Sequence, residues 1–266
     1  MTHTAHTTRR KGQTSMFDPA SDIPALEHRA LRAWPALETR DVDGWLLRAA
    51  RGFTKRANSA NALGNAAPLA AVLGRVEAFY AGRGLPTIFR LSPLAPPDAD
   101  SALGAAGYAL CEPSLVMTAS LAAAAAAPAA IELSRVASAR WLDGAARIGG
   151  RAADRVQTHA ALLRGIRAPT WFAGLRQDGA MIACAMSVCD TGAIGLFDIA
   201  VHPDHRGQGH GRAITRALLA RGWCDGARMA YLQVGASNGV AQTLYRSLGF
   251  AEAYVYHYRV RPSPAG

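Results

Sequence analysis

Phe197-Asp198-Ile199-Ala200-Val201-His202-Pro203-Asp204-His205-Arg206-Gly207-Gln208-Gly209-His210-Gly211-Arg212 carries the strongest signal in the chain. An apolar run ends at Pro203, three alternate glycines follow, and a helical period then begins with Ile214, Leu218 and Leu219 on one face. Strand, glycine turn and helix start are the parts of an anion-binding loop. Glycines allow main-chain conformations and a closeness of approach that a Cβ blocks. The free N–H groups of the first helical turn point into the gap after the strand, which suits a diphosphate. Spacing rules out two common versions. A Walker loop requires Gly-Lys-Ser/Thr, which is absent. A dinucleotide fingerprint runs G-x-G-x-x-G with an acidic residue closing the next strand; here the glycines run G-x-G-x-G without one.

Outward from this turn, the second half of the chain divides into elements. Residues 131–136 alternate as a strand, and 138–149 and 154–166 have the period and N-caps of helices. Strands are predicted at 171–176, 181–189 and 194–201, the first two joined by the turn Gln177-Asp178-Gly179. A helix at 209–225, a strand at 229–234, a helix at 239–248 stopped by Gly249, and a strand at 253–260 follow. In the first half, strands are predicted at 44–50, 55–63, 87–91 and 110–118, the last interrupted by Pro113, with helices at 69–80 and 98–106. This order echoes the later part of the second half, and Leu103-Gly104-Ala105-Ala106-Gly107-Tyr108 parallels Ser247-Leu248-Gly249-Phe250. The alanine run within 121–130 separates the two parts as a low-complexity linker. Residues 1–20 read as a disordered tail.

The glycine stretch resembles motif A of the GNAT superfamily, the GCN5-related N-acetyltransferases, whose pattern Gln/Arg-x-x-Gly-x-Gly/Ala is matched by Arg206, Gly209 and Gly211. Leu232-Gln233-Val234, Asn238, Ala241, Leu244-Tyr245 and Leu248-Gly249-Phe250 resemble the family's second signature, in order and at the right distance. The resemblance covers residues 130–260. It implies a mixed α/β fold, a three-layer αβα GNAT fold in two tandem copies: a degenerate half at 21–120 and a catalytic domain at 131–262. It also implies acetyl-CoA as cosubstrate and no metal. Cofactor contacts would come from Ile199, Ala200, Val201, Arg206, Gly207, Gln208, Gly209, His210, Gly211, Arg212, Asn238 and Tyr245. Tyr245 stands where family members carry a general acid. Some relatives place Glu where this chain has Gln233, so the base stays open between Asp198, His202 and a chain of waters. By alternation Asp198 shares a strand face with Ala200 and His202. In the first half, the single glycine of Ala62-Leu63-Gly64-Asn65 does not make a phosphate loop, and its role is expected to be in walling the acceptor site, with Trp45, Arg48, Arg56 and Asn58 as candidates.

Composition narrows the alternatives. The four cysteines form no C-x-x-C pair, which argues against a zinc site and a disulfide scaffold and fits a reducing cytoplasm. No apolar run is long enough to cross a bilayer, and the polar N-terminal stretch does not read as an export signal. The net charge of +10 lies mostly in the second half and is almost all arginine, with only Lys11 and Lys55 as lysines. A basic cleft attracts a polyanionic cofactor, whereas no nucleic-acid motif accompanies the charge. The expected partner is an amine acceptor, with no membrane and with the oligomeric state open. The sequence is therefore expected to encode an N-acetyltransferase, with a catalytically weak acyl-CoA-binding or sensing protein as the alternative.

Overall fold

Ile23, Leu26, Ala30 and Ala33, all buried, recur along one face of the helix α1 (Pro19–Ala33), which packs that face on the sheet. The computed structural model describes residues 19–123 and 130–261. Most of the expected tail and most of the alanine linker lie outside the described residues, although Pro19 and Ala20 already belong to α1. The first half continues with β1 (Glu38–Val42), β2 (Trp45–Ala49), β3 (Ala60–Ala62), α2 (Leu69–Ala81), β4 (Thr87–Leu91), α3 (Ala99–Ala105) and β5 (Ala109–Ser120). The second half contains β6 (Ile131–Ser134), α4 (Ala139–Gly149), α5 (Ala153–Arg164), β7 (Thr170–Gln177), β8 (Ala180–Asp190), β9 (Ala193–Val201), α6 (His210–Cys224), β10 (Met229–Gly235), α7 (Gly239–Arg246) and β11 (Ala251–Arg261).

Local chemistry explains many of these boundaries. Ser138 caps α4 by accepting from the Trp141 N–H at 3.2 Å. The β7–β8 hairpin turns through Asp178 and Gly179 at φ +49° and +78°, the backbone of a two-residue primed turn. Lys55–Leu63 departs from the expected strand. Lys55–Ala57 is a 3-10 turn, and only Ala60–Ala62 is extended. Asn58 is the cause: its Oδ1 accepts from the N–H of Ala50 (2.7 Å) and Gly52 (2.9 Å), and its Nδ2 donates to Thr54 O (2.7 Å), which winds the chain into a loop.

The strands form one 11-stranded sheet in the order β1-β2-β3-β4-β11-β5-β10-β9-β8-β7-β6. The two halves therefore exchange their last strands. β11 lies between β4 and β5, while β5 pairs with β10 through Leu232↔Met117 and its neighbours. The expected division at 121–130 separates the chain but not the sheet. On one face α1, α4 and α5 cover a core containing Trp34, Trp141, Leu162 and Phe197. On the other, α6 and α7 cover Ile194, Leu196 and Leu232, and α2 and α3 cover Trp45, Leu47 and Phe89. This is the three-layer αβα arrangement.

Pro113 lies within β5, a central strand, where proline is rarely tolerated. A bulge accommodates it: Glu112 has φ +49°, and the register with β11 slips between Tyr256 and Tyr258. A buried ion pair ties α1 to the exchanged strands. Arg90 of β4 makes a two-armed contact with Glu27, one arm at 2.9 Å, and Tyr254 of β11 donates to the same carboxylate at 2.6 Å. Arg90 also lies over the Tyr256 ring at 3.7 Å. Burial alone would lower the Arg90 pKa, but Glu27 raises it above its usual value.

Truncating one partner strands the other charge in the interior. Glu27→Ala is expected to lower the unfolding free energy by about 3–5 kcal/mol. Because the contact joins α1, β4 and β11, urea denaturation followed by tryptophan fluorescence and far-ultraviolet circular dichroism should show one shifted transition in both signals.

Candidate active site

β9 and β10 run parallel and hydrogen-bonded only from Ala193↔Met229 to Leu196↔Leu232. Beyond Leu196 they part, leaving the edge of β9 facing an open cleft of about 280 Å³. A bulge in β9 marks the point of parting. The register with β8 jumps from Met186↔Phe197 to Cys184↔Ala200, and Asp198 adopts φ +50°. Phe197 and Asp198 consequently fall on the same side of the sheet. Phe197 stacks on Trp34 with centroids 5.9 Å apart, and Asp198 reaches toward α5.

The Asp198 side chain is 8% exposed and fully engaged. Its Oδ1 accepts from Arg151 Nη2 at 3.1 Å, and its Oδ2 lies 2.6 Å from His159 Nε2. Trp34, Phe53 and Trp141 surround the His159 ring at 5.9, 5.2 and 6.1 Å. Burial works against the Asp198 carboxylate, but the contact with His159 and the charges of His159, Arg151 and Arg56 overcome it and hold the pKa below the ordinary value.

The glycine turn follows β9. Gly207 (φ +74°) and Gly209 (φ +81°) occupy left-handed backbone, and Gly209 caps α6. A Cβ on either would meet nothing within 4 Å, so the space before the turn is empty of protein. At Gly211 a Cβ would come within 3.3 Å of Leu244 and 3.6 Å of Val201, so this glycine lets α6 pack against α7 and β9. Among the described residues no backbone carbonyl accepts from the N–H groups of Gly207 to Arg212; the helical ladder begins with Ala213 N to Gly209 O at 3.0 Å. Arg206 Nε donates to Val201 O at 3.4 Å and ties the turn to the strand end, and Gln208 Nε2 donates to Asp204 O at 3.4 Å. His210 follows at the first helical position.

Ile199, Ala200, Asn238 and Tyr245 line the cleft. Val201 continues the same strand edge. Asn238 caps α7, its Oδ1 accepting from Ala241 N at 3.1 Å. Tyr245 is buried, and that burial pushes its pKa up to about 12. His202 lies past the end of β9, its Nδ1 3.7 Å from the Asp204 carboxylate. The face it was expected to share with Asp198 and Ala200 ends with the strand.

A second cleft, of about 770 Å³, adjoins the first and shares Arg56, Gln233, Val234 and Gly235 with it. Phe53 to Arg56, the β5 bulge at Glu112 to Ser114, Arg155, Tyr256 and Tyr258 line it. Gln233 Oε1 accepts from Tyr256 OH at 3.1 Å. Of the four first-half candidates, only Arg56 reaches this space. Trp45 is fully buried, with its Nε1 donating to Ala67 O at 2.9 Å. Arg48 is buried and donates to the carbonyls of Arg56 (2.6 Å), Leu31 (3.2 Å) and Trp34, and burial lowers its pKa to about 10. Asn58 winds its own loop. Sequence reasoning passed over Arg151, Arg155, His159, Tyr256 and Tyr258. Arg155 and His159 sit on α5, Tyr256 and Tyr258 on β11 and Arg151 in the loop between α4 and α5, and tertiary pairing alone brings each to the site. Pro113 in a predicted strand was the available sign of the β5 bulge.

Parted parallel strands facing a glycine-rich helix start are the architecture of an acyl-CoA-dependent acyltransferase. Comparison with known proteins agrees. Residues 20–260 match the family model described as "Probable histone acetyltransferase Rv0428c C-terminal". An uncharacterized N-acetyltransferase, YobR of Bacillus subtilis, is 30% identical over 248 residues, covering 90% of this chain and 99% of that protein. The [ribosomal protein bS18]-alanine N-acetyltransferase of Escherichia coli is 42% identical over 81 residues, which is 30% of this chain and 55% of that enzyme. Among solved structures, a GCN5-related N-acetyltransferase from Kribbella flavida has a TM-score of 0.67 at 21% identity, covering 95% of this chain and 98% of that one, a likeness of fold. The chain belongs to the GNAT family of N-acetyltransferases and is an acyltransferase. Among the described residues no cluster of His, Cys, Asp and Glu is arranged to hold a metal ion, and no helix is long and apolar enough to cross a membrane.

Two outcomes are expected. Gly209→Glu forces a side chain into left-handed backbone and puts a carboxylate in front of the free N–H groups. Its CoA affinity, measured by calorimetry, should fall at least about tenfold. The depressed Asp198 pKa stabilises the folded state above the unfolded carboxyl value of about 3.9, and this contribution is lost as pH falls through the lower folded value. Stability measured against pH should therefore lose part of its acid dependence in Asp198→Asn, with the difference from the parent largest at neutral pH.

Proposed function

We propose that the chain transfers the acetyl group of acetyl-CoA to a primary amine by direct attack in a ternary complex. One observation carries this: a cleft between parted strands, next to unsatisfied N–H groups, opens at Gln233 and Val234 into a second, larger cleft. The N–H groups of Gly207 to Arg212 suit the pyrophosphate of the cosubstrate. The free edge of β9 at Ile199 to Val201 suits its amide arm, with Asn238 holding the start of α7 beside it. The acceptor would enter from the second cleft, walled by the first half. Holding amine and thioester together supplies most of the acceleration, and a β9 N–H beside the bulge would stabilise the charge that develops on the thioester carbonyl.

In the transfer a carbon–nitrogen bond forms, the carbon–sulfur bond breaks, the amine releases a proton and the thiolate takes one up. Tyr245, buried against the cleft, is assigned as the donor to sulfur. A phenol at about 12 is a weaker acid than a free thiol at about 8.5. Desolvation narrows that gap, as in the neighbouring strand, where burial pushes the Cys184 thiol up to about 12. Asp198 is reassigned from candidate base to positioning residue. Its carboxylate is ion-paired to Arg151, in contact with His159 and lowered in pKa, so it holds the bulge and accepts no proton at neutral pH. His202 lies outside the strand. The amine is then deprotonated by solvent before it binds. The alternative, an acyl-CoA-binding or sensing protein of weak activity, draws on Gln233, an amide where a base would serve.

Tyr245→Phe keeps the ring's packing against Phe250 and removes only the hydroxyl. Its kcat is expected to fall on the order of 10²–10⁴ with the KM for acetyl-CoA little changed. In the parent enzyme kcat should show no alkaline decline through about pH 10, where an ordinary phenol ionises. A fast chemical step for Tyr245→Phe in a single turnover would remove it as the acid. CoA binding without release in any amine panel would favour the sensing alternative.

A further inference from the structure

The charge lining the second cleft is unbalanced. Among the described residues its one carboxylate, Glu112, is ion-paired to Lys55 at 2.6 Å. The buried carboxylates that share a pocket lining with Arg56 are also taken, Asp198 by Arg151 and His159 and Glu27 by Arg90. Arg56 and Arg155 line the same space and form no ion pair among the described residues. Aromatic faces fix their positions instead. The Arg56 guanidinium lies over Trp34 (5.4 Å) and Phe197 (5.9 Å), and that of Arg155 lies over Phe53 (5.2 Å) and donates to Phe53 O. Stacking of this kind holds a guanidinium in place and leaves its remaining N–H donors, all but the Arg155 Nη2 bond to Phe53 O, available to a carboxylate or phosphate. Arg56 lines both clefts, so an anion held by the two arginines would lie beside the opening between them.

We propose that the acceptor is an amine carrying an anionic group, a carboxylate or a phosphate, that Arg56 and Arg155 hold while the nitrogen points toward the cosubstrate cleft. This rests on the acetyltransferase reading above and narrows it to one substrate class. The same positive field serves the chemistry: it disfavours the ammonium form of the acceptor and so favours the neutral nucleophile. It also repels a lysine-rich polypeptide, whose other side chains would add positive charge to a wall that lacks a free carboxylate.

Matched acceptors test this through CoA release under steady state: alanine against alaninamide, phosphoethanolamine against ethanolamine, and a lysine-rich peptide. The anionic member of at least one pair is expected to have a kcat/KM ten- to a hundredfold higher than its neutral partner, the range for a hydrogen bond to a charged group. The two pairs tell carboxylate from phosphate. Arg155→Gln, a change at an exposed residue, should collapse the ratio toward one with the KM for acetyl-CoA within twofold, and Arg155→Lys should keep part of it. Faster turnover of the neutral members or of the peptide would overturn the anionic acceptor and leave the acetyltransferase intact. An unchanged ratio in Arg155→Gln and Arg56→Gln would also overturn it. Binding of CoA with no release in any arm would overturn the acetyltransferase reading and this inference with it.

Discussion

Only four residue pairs of β9 and β10 are in register. The rest of the site depends on their parting at Leu196 and Leu232. A parallel pair carried to its end would satisfy both strand edges and close the sheet, leaving the free N–H groups at the start of α6 facing solvent alone. The bulge at Asp198 prevents this by turning two successive side chains to one face and bending the strand away. Left-handed backbone at a non-glycine residue costs energy, and the contacts of Asp198 with Arg151 and His159 stabilise it. A buried polar cluster of Asp198 with Arg151, from the loop before α5, and His159 of α5 thus maintains the opening beside the strand.

The exchange of β5 and β11 joins this opening to the first half of the chain. Tyr256 and Tyr258 come from the last strand of the second half but pack against β4 and β5 of the first. Glu112 to Ser114 come from the last strand of the first half but lie beside β10. The second cleft is therefore lined from both halves, and neither builds it alone. The first half lacks a phosphate loop, yet it contributes the aromatic and cationic wall of Phe53 to Arg56 and the ion pair of Glu27 with Arg90.

Where structure is set by local rules, the sequence was legible. The Asp178-Gly179 turn, the Ser138 cap and the strand–glycine–helix order around Gly209 each rest on a few adjacent residues, and each appears where the pattern placed it. The α1 helix was missed although Ile23, Leu26, Ala30 and Ala33 carry its period, because Pro24 and a polar leader obscured it. The exchange of strands was not legible, since β5 and β11 have the same local pattern with or without it. Trp45, Arg48 and Asn58 looked available for binding because polar and aromatic residues often are. Their partners are backbone groups that only the folded chain brings within reach. The cluster of Arg151, His159 and Asp198 spans 47 residues and has no sequence signature.

A neutral amine held against a thioester attacks its carbonyl, and a lysine of the binding protein itself is such an amine. The basic surface of this chain is made almost wholly of arginine, whose guanidinium stays protonated and is not a nucleophile. Lys55, one of only two lysines, lines the second cleft and is ion-paired to Glu112 at 2.6 Å. A surface of this kind carries positive charge while presenting almost no lysine to be acylated, and the pairing with Glu112 restrains the lysine that lines a cleft.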